Sequence, residues 1–242
     1  MKHRRLCTIY QAASQFFYLQ NHCYPRDSAL QWVGNRCNLT SKERELLNRG
    51  VFSQEIALRR RAKRCVGSNW QEKLLVVDGH NVQITIESAL LGRSLLVGND
   101  GALRDLAGQS ASFKFSEVSE MALDMVFSFL AEFRPVKVLF LFDAPLSLSG
   151  YMADKYRQRM RSLGLAGEAK AVPVPEREFP YGESVVASSD RAVLDASTRW
   201  LDLARWVVDF SLTPQFTADF STLIPFNPSA QREPEVHPCR SS

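Results

Sequence analysis

Val138-Leu139-Phe140-Leu141-Phe142-Asp143 is the most apolar run of the chain, and it ends on an acid. A short continuous run of this kind, with no polar alternation, reads as a strand buried on both faces, the habit of parallel sheets. Two further stretches share the form: Leu74-Leu75-Val76-Val77-Asp78 and Val185-Val186-Ala187-Ser188-Ser189-Asp190. Each delivers a carboxylate to the carboxyl end of a strand, where open α/β sheets bind ligands. Carboxylates gathered at one edge repel one another unless a cation offsets them, and Mg²⁺ or Mn²⁺ is the natural partner of oxygen ligands.

Outward from these runs the pattern alternates. Strands are expected at 74 to 77, 94 to 97, 136 to 142, 169 to 174 and 184 to 187. Helices are expected at about 116 to 133, 150 to 163 and 190 to 207. This βα alternation predicts an α/β domain over residues 73–210, a three-layer, Rossmann-like, mostly parallel sheet with helices on both faces.

Residues 1–66 read differently, as a small all-α domain. Leu6, Ile9, Tyr10, Ala13, Phe16, Phe17 and Leu19 recur at helical spacing, and polar residues interrupt them too often for a signal peptide or a membrane span. Asp27 is a candidate cap for a short second helix, and Thr40 with Glu43 forms a capping-box pattern for the next. The Pro-rich segment 211–242 has no apolar period and is expected to be irregular and to carry no chemistry.

Charge is distributed unevenly. Residues 1–70 hold 13 Lys+Arg against 4 Asp+Glu, leaving 17 against 22 for the rest. A basic front end suits a polyanion, so Arg59, Arg60, Arg61, Lys63 and Arg64 are candidates for gripping nucleic-acid phosphates, with a solvated helix face as the plain alternative. The five cysteines form no CxxC pair, which argues against a zinc knuckle or a disulfide framework and for a reducing, cytoplasmic setting. No membrane partner is expected, and self-association is left open.

The chemistry rests on acids. Asp78 is followed by Gly79, which permits a tight turn or a close approach to backbone, and by Asn81, whose amide can bond substrate. Asp100 and Asp105 flank a glycine turn, with Asp105 placed to face the strand ends. Asp190 stands where a strand meets a helix and fits a cap as well as a ligand. Taken with Asp78 and Asp143 at neighbouring strand ends, the ligand reading is preferred. No GxSxG, GxxxxGK[ST] or HExxH motif occurs.

Val77-Asp78-Gly79-His80-Asn81-Val82, Phe142-Asp143-Ala144-Pro145 and Ser188-Ser189-Asp190 together resemble the strand-end motifs of PIN-like nucleases. The whole chain resembles a prokaryotic family that joins a small helical domain to a PIN-like domain. The resemblance implies Mg²⁺- or Mn²⁺-dependent cleavage of RNA or DNA, with RNA preferred. It makes Asp78, Asp143 and Asp190 metal ligands and catalytic acids. A further acid is implied on an intervening helix; Asp105 is the first choice, then Asp100, then Glu87. The alternatives are a nucleic-acid-binding or regulatory module with a degenerate acidic pocket, and a phosphoesterase acting on a small substrate.

Overall fold

The computed structural model describes residues 2–106, 115–146, 148–214 and 216–224. Five strands form one parallel sheet: β1 (Leu74–Asp78), β4 (Lys137–Asp143), β5 (Gly167–Val172), β6 (Ser184–Ala187) and β7 (Trp200–Leu201), in the spatial order β5-β4-β1-β6-β7. From β1 the chain first builds outward through β4 to β5, then returns to the other side of β1 for β6 and β7. The order therefore reverses between β1 and β6, and such a crevice is where doubly wound sheets bind ligands. Three shorter strands, β2 (Leu95–Val97), β3 (Leu103–Asp105) and β8 (Ala218–Asp219), make a second sheet, with β2 in the middle.

The two faces of the large sheet are unequal. Leu75, Val77, Val138, Phe140, Phe142, Val185 and Ala187 point into the main core, beneath α5 (Gly79–Leu90), α6 (Glu117–Glu132), α7 (Ser149–Ser162) and α9 (Leu203–Ser211). Val76, Leu141, Val172 and Val186 point the other way and, among the described residues beyond the strands, pack with Phe179, Tyr181 and Val193, the first two from the β5–β6 connection and the last from the short α8 (Arg191–Ala196). Helices on both faces were expected; one layer is full and the other is thin. Strand alternation then sends Asp78 and Asp143, two residues beyond Val76 and Leu141, toward the thin side.

Residues 2–63 form four helices: α1 (Lys2–Asn21), α2 (Arg26–Arg36), α3 (Ser41–Gly50) and α4 (Gln54–Lys63). The capping box is present, with Thr40 Oγ1 accepting from Glu43 N–H and the Glu43 carboxylate accepting from Thr40 N–H. Pro25, not Asp27, occupies the N-cap of α2, leaving Asp27 in the first turn. The buried faces of α1, α2 and α3 close over Leu96, Ala218 and Phe220, so the small sheet serves the helical region as its floor. Thus residues expected to be an irregular tail supply a strand: β8 pairs in parallel with β2, and the Phe220 side chain is fully buried. Ser147 and residues 225–242, including Pro225, Pro228, Pro234 and Pro238, lie outside the described residues.

The single helix expected over 190 to 207 is two helices with β7 between them. Ser197 ends α8, its hydroxyl donating to Leu194 O (3.1 Å), and Asp202 caps α9 by accepting from Arg205 N–H (3.2 Å). Tertiary pairing overrides local propensity: Trp200 is fully buried, and its indole N–H donates to Arg60 O (2.7 Å). Among the described residues no helix is long and apolar enough to cross a membrane.

Candidate active site

Asp78 and Asp190 stand at the reversal between β1 and β6, and Asp143 one strand away at the end of β4. Asp78 ends β1 and caps α5, its Oδ1 accepting from Asn81 N–H (3.3 Å) while Oδ2 accepts from the Ser188 hydroxyl (2.9 Å). The parallel register places Val77 beside Ala187, so Ser188 is the next rung opposite Asp78. Asn81 Oδ1 accepts from both the Ser189 N–H (2.9 Å) and its hydroxyl (3.1 Å). The amide read as a substrate contact is therefore engaged in tying α5 to the end of β6. Asp190 caps α8, with Oδ1 accepting from Ala192 N–H (2.8 Å) and Val193 N–H (3.3 Å). Capping and clustering at one edge occur together, which the sequence reading had set against each other.

Burial pushes the Asp78 carboxyl up to about 7, and the negative charges of Glu176 and Asp190 add to the shift against the bonds from Ser188 and Asn81. Burial also raises Asp143. No ion pair among the described residues engages Asp78, Asp143, Asp190 or Glu176, whereas Asp100, Asp105, Asp195 and Asp202 all face arginines. The edge thus holds carboxylates without side-chain cations on them.

Glu176 is a residue the sequence reading missed. It lies in a 3-10 turn, Pro175–Arg177, within the connection that must pass from β5 over β4 and β1 to reach β6. The turn packs on β4, and Phe179 and Tyr181 beyond it seal the thin face. Neither a strand-end pattern nor a motif marks Glu176; only the strand order puts it above the acids. Asp105, the first choice for an added acid, is in β3 of the other sheet and faces Arg49 (3.9 Å). Asp100 is enclosed by Arg60 and Arg104. Glu87 accepts from Gln83 Nε2 (2.9 Å) on its own helix.

His80 is buried in the first turn of α5. Its Nδ1 accepts the Asp143 N–H (3.1 Å), and burial lowers its pKa to about 4, so it is neutral at physiological pH. Beside it, Gly79 has room for no side chain: a Cβ would stand 2.4 to 2.7 Å from three atoms of the Phe142 ring. That ring is held edge-on by His80 (5.3 Å) and Tyr156 (4.9 Å). Gly79→Ala is therefore expected to cost about 1–3 kcal/mol through overpacking, read as a lower midpoint in thermal unfolding. An unchanged midpoint would show that the ring has room to retreat.

The basic segment read as a phosphate grip is bonded within the fold: Arg60 is buried, Arg61, Lys63 and Arg64 are half-buried, and Arg59 is exposed. Arg60 donates to Asp195 through Nη2 (2.7 Å) and to Asp100 through Nη1 (2.9 Å), and Arg59 reaches Asp195 (3.3 Å). Arg61 donates to Asn99 O (2.8 Å) and Ser221 O (2.8 Å), and Lys63 to Asp195 O (2.8 Å). Arg64 lies 3.8 Å from Asp202 and over the Trp200 ring. These charges dock α4 against α8 and β7.

A family model described as a domain of unknown function, DUF5616, matches residues 68–206. The chain belongs to the DUF5616 family. The DUF5616 match covers the whole five-stranded sheet and every acid at its edge. A second model, described as a protein of unknown function, DUF434, matches residues 8–63, which take in α2, α3, α4 and all but the start of α1. An uncharacterised protein of Methanocaldococcus jannaschii is 30% identical over 203 residues, covering 84% of this chain and 94% of its own. No solved structure matches the chain.

Proposed function

We propose that the acid edge is the active site of a Mg²⁺- or Mn²⁺-dependent nuclease acting on RNA in the cytoplasm, with a PIN-like arrangement of its sheet. The observation that carries this is the set of carboxylates along one edge of the sheet, two of them with raised pKa and, among the described residues, none with a cationic side chain on it. The donor chemistry fits a hard divalent ion, since all candidates are carboxylate oxygens. Among the described residues no three acidic, histidine or cysteine side chains stand close enough to hold a metal as they are. An ion would supply the attraction that draws Asp78, Asp143 and Asp190 together.

When bound, such an ion lowers the pKa of water and offsets charge developing on a phosphodiester. The chain's own contribution is positional. Ser188 and the N-terminal turn of α5 fix the Asp78 carboxyl, Asn81 fixes the loop carrying Asp190, and neutral His80 fixes the backbone of Asp143. The β5–β6 connection covers the site, with Glu176 able to add a fourth carboxylate and Tyr181 to limit water.

Purified protein with Mn²⁺ is expected to cleave a mixed RNA pool, and Asp143→Asn to lower the rate at least about 100-fold, the range for losing a charged group from a preorganised site. Equal rates for wild type and variant would sink the nuclease reading. The open spacing of the acids favours a second reading, a nucleic-acid-binding module without turnover. Under that reading RNA binds in the presence of Mn²⁺ and remains intact.

A further inference from the structure

A cleft of about 1170 Å³ opens away from the acids, where the end of α4 and the residues after it face α6, α9 and β8. One wall is aromatic. Phe129 and Phe133 come from the end of α6 and its C-cap, and Trp206 and Phe210 from successive turns of α9. Phe210 meets Phe129 (5.8 Å) and Phe133 (5.7 Å) edge-on and is 50% exposed, so its neighbours fix the ring while the cleft reaches it. This wall stands just before β4 begins at Lys137, whereas Asp143 is at the far end of that strand. Seven strand residues separate the two by roughly 20 Å.

The facing wall carries Arg61 and Arg64. Arg61 is bonded to the carbonyl oxygens of Asn99 and Ser221, and Arg205, on the aromatic side, is paired with Asp209 (2.5 Å). Arg64 differs from both. Its side chain donates no hydrogen bond among the described residues, and its buried Nε meets no acceptor there. Asp202, 3.8 Å from its Nη2, already accepts the N–H groups of Leu103 and Arg205. A buried donor left unbonded is costly, and an oxygen of a ligand is a natural acceptor for it. Gly101, at φ +87°, leaves the guanidinium room: a Cβ there would stand 3.2 Å from Arg64 Nη1.

The chemistry of the lining narrows the ligand. Three arginines stand against two aspartates, Asp209 and Asp219, one positive charge in excess. That balance suits one anionic group, while a run of phosphates would meet the aspartates. Aromatic rings in turn accept the flat face of any nucleic-acid base. The volume is on the scale of small-molecule sites, about 300–1,000 Å³, with space for water around a charged group.

We propose that this cleft binds a nucleoside monophosphate, with its base against Phe210 and Trp206 and its phosphate on Arg64, as a site separate from the acid edge. The guanidinium fork matches two phosphate oxygens. Neither metal nor cleavage at the acids is required.

The test titrates the full chain, in chelator, with adenosine monophosphate, adenosine, ribose 5-phosphate and a short single-stranded RNA, read by calorimetry. Adenosine monophosphate should bind once per chain and more tightly than adenosine or ribose 5-phosphate. Phe210→Ala removes an exposed ring and should weaken the nucleotide at least about 5-fold while leaving ribose 5-phosphate unchanged. Arg64→Gln should weaken the nucleotide about 10-fold and leave adenosine unchanged, a selectivity that general loss of structure does not produce. Asp143→Asn should bind the nucleotide as the wild type does.

Absence of nucleotide binding, or affinity no greater than that of ribose 5-phosphate, overturns the site. Tighter binding of RNA than of the nucleotide overturns its assignment to a monophosphate. Loss of nucleotide binding in Asp143→Asn places the ligand at the acid edge and overturns a separate cleft. Binding that survives Asp143→Asn, in a protein that leaves RNA intact with Mn²⁺, removes the nuclease and keeps this site.

Discussion

Asp100→Asn is expected to lower the free energy of unfolding by about 3–5 kcal/mol, the cost of removing one partner from a buried ion pair. Asp100 is fully buried; it accepts from Arg104 Nη1 (2.8 Å) and Nη2 (2.7 Å) and from Arg60 Nη1 (2.9 Å). Burial by itself would raise its pKa, but the two guanidiniums outweigh that and hold it below the usual carboxylate value. Asparagine keeps the shape and removes the charge that both arginines face. Arg60 retains Asp195, whereas Arg104 is left with Ser189 O and a neutral amide. Denaturant unfolding should show the loss at an unchanged slope, and the thermal midpoint should fall by roughly 10 °C, at about 2–4 °C per kcal/mol for a chain of this size. A loss below about 1 kcal/mol, the scale of an ordinary exposed ion pair, would mean that Arg104 finds another partner.

Asp78→Asn is expected to act in the opposite direction on stability while removing any cleavage. The Asp78 carboxyl titrates near 7 when folded, against a reference of 3.8, so the folded protein holds the proton more firmly. Its contribution to stability is whole below about pH 4 and is lost as pH rises toward 7, so the stability of the wild type should fall across that window. Above it a buried charge remains, at a cost on the order of 2–4 kcal/mol. Asparagine carries no charge, its oxygen can still accept from Asn81 N–H, and the Ser188 hydroxyl can turn to accept from its amide. At pH 8 the variant should therefore unfold at a higher denaturant midpoint than the wild type, with a flatter pH profile. A variant less stable at every pH would show that Asp78 is stabilised in its ionised form by contacts stronger than its burial.

Much of this architecture is legible in the sequence because it is local. Five apolar residues before Asp143, and the shorter runs before Asp78 and Asp190, are strands by pattern alone, and Thr40 with Glu43 announces a helix start. What pattern cannot convey is adjacency. The edge shared by the acids depends on β1 lying between β4 and β6, and Glu176 reaches it only because β5 and β6 flank that pair on opposite sides. The same limit governs the cations. Arg60 and Lys63 read as exposed because their carboxylate and carbonyl partners lie about 130 residues away, at Asp195. Trp200 and Leu201 read as helix because two residues of strand leave almost no period, and pairing with β6 makes them one. Asp190 gave both answers at once, for a cap and a clustered acid are chemically the same side chain.

At the outer margin of the large sheet, Arg64 bridges to Trp200 in parallel fashion, Cys65 N–H donates to Trp200 O (2.7 Å), and the Trp200 indole donates to Arg60 O. The bond from Trp200 to Arg60 joins residues matched by the two family models, and Arg64 and Cys65, between the two matches, extend the same margin. Similarity between sequences separates them near residue 66; cohesion does not. A gene fragment beginning at residue 68 would encode a tryptophan without its cover and Asp100 without Arg60. The two halves are thus poor candidates for exchange by recombination, and the archaeal relative, aligned over a span longer than either match, is what joint inheritance of such a pair would leave behind.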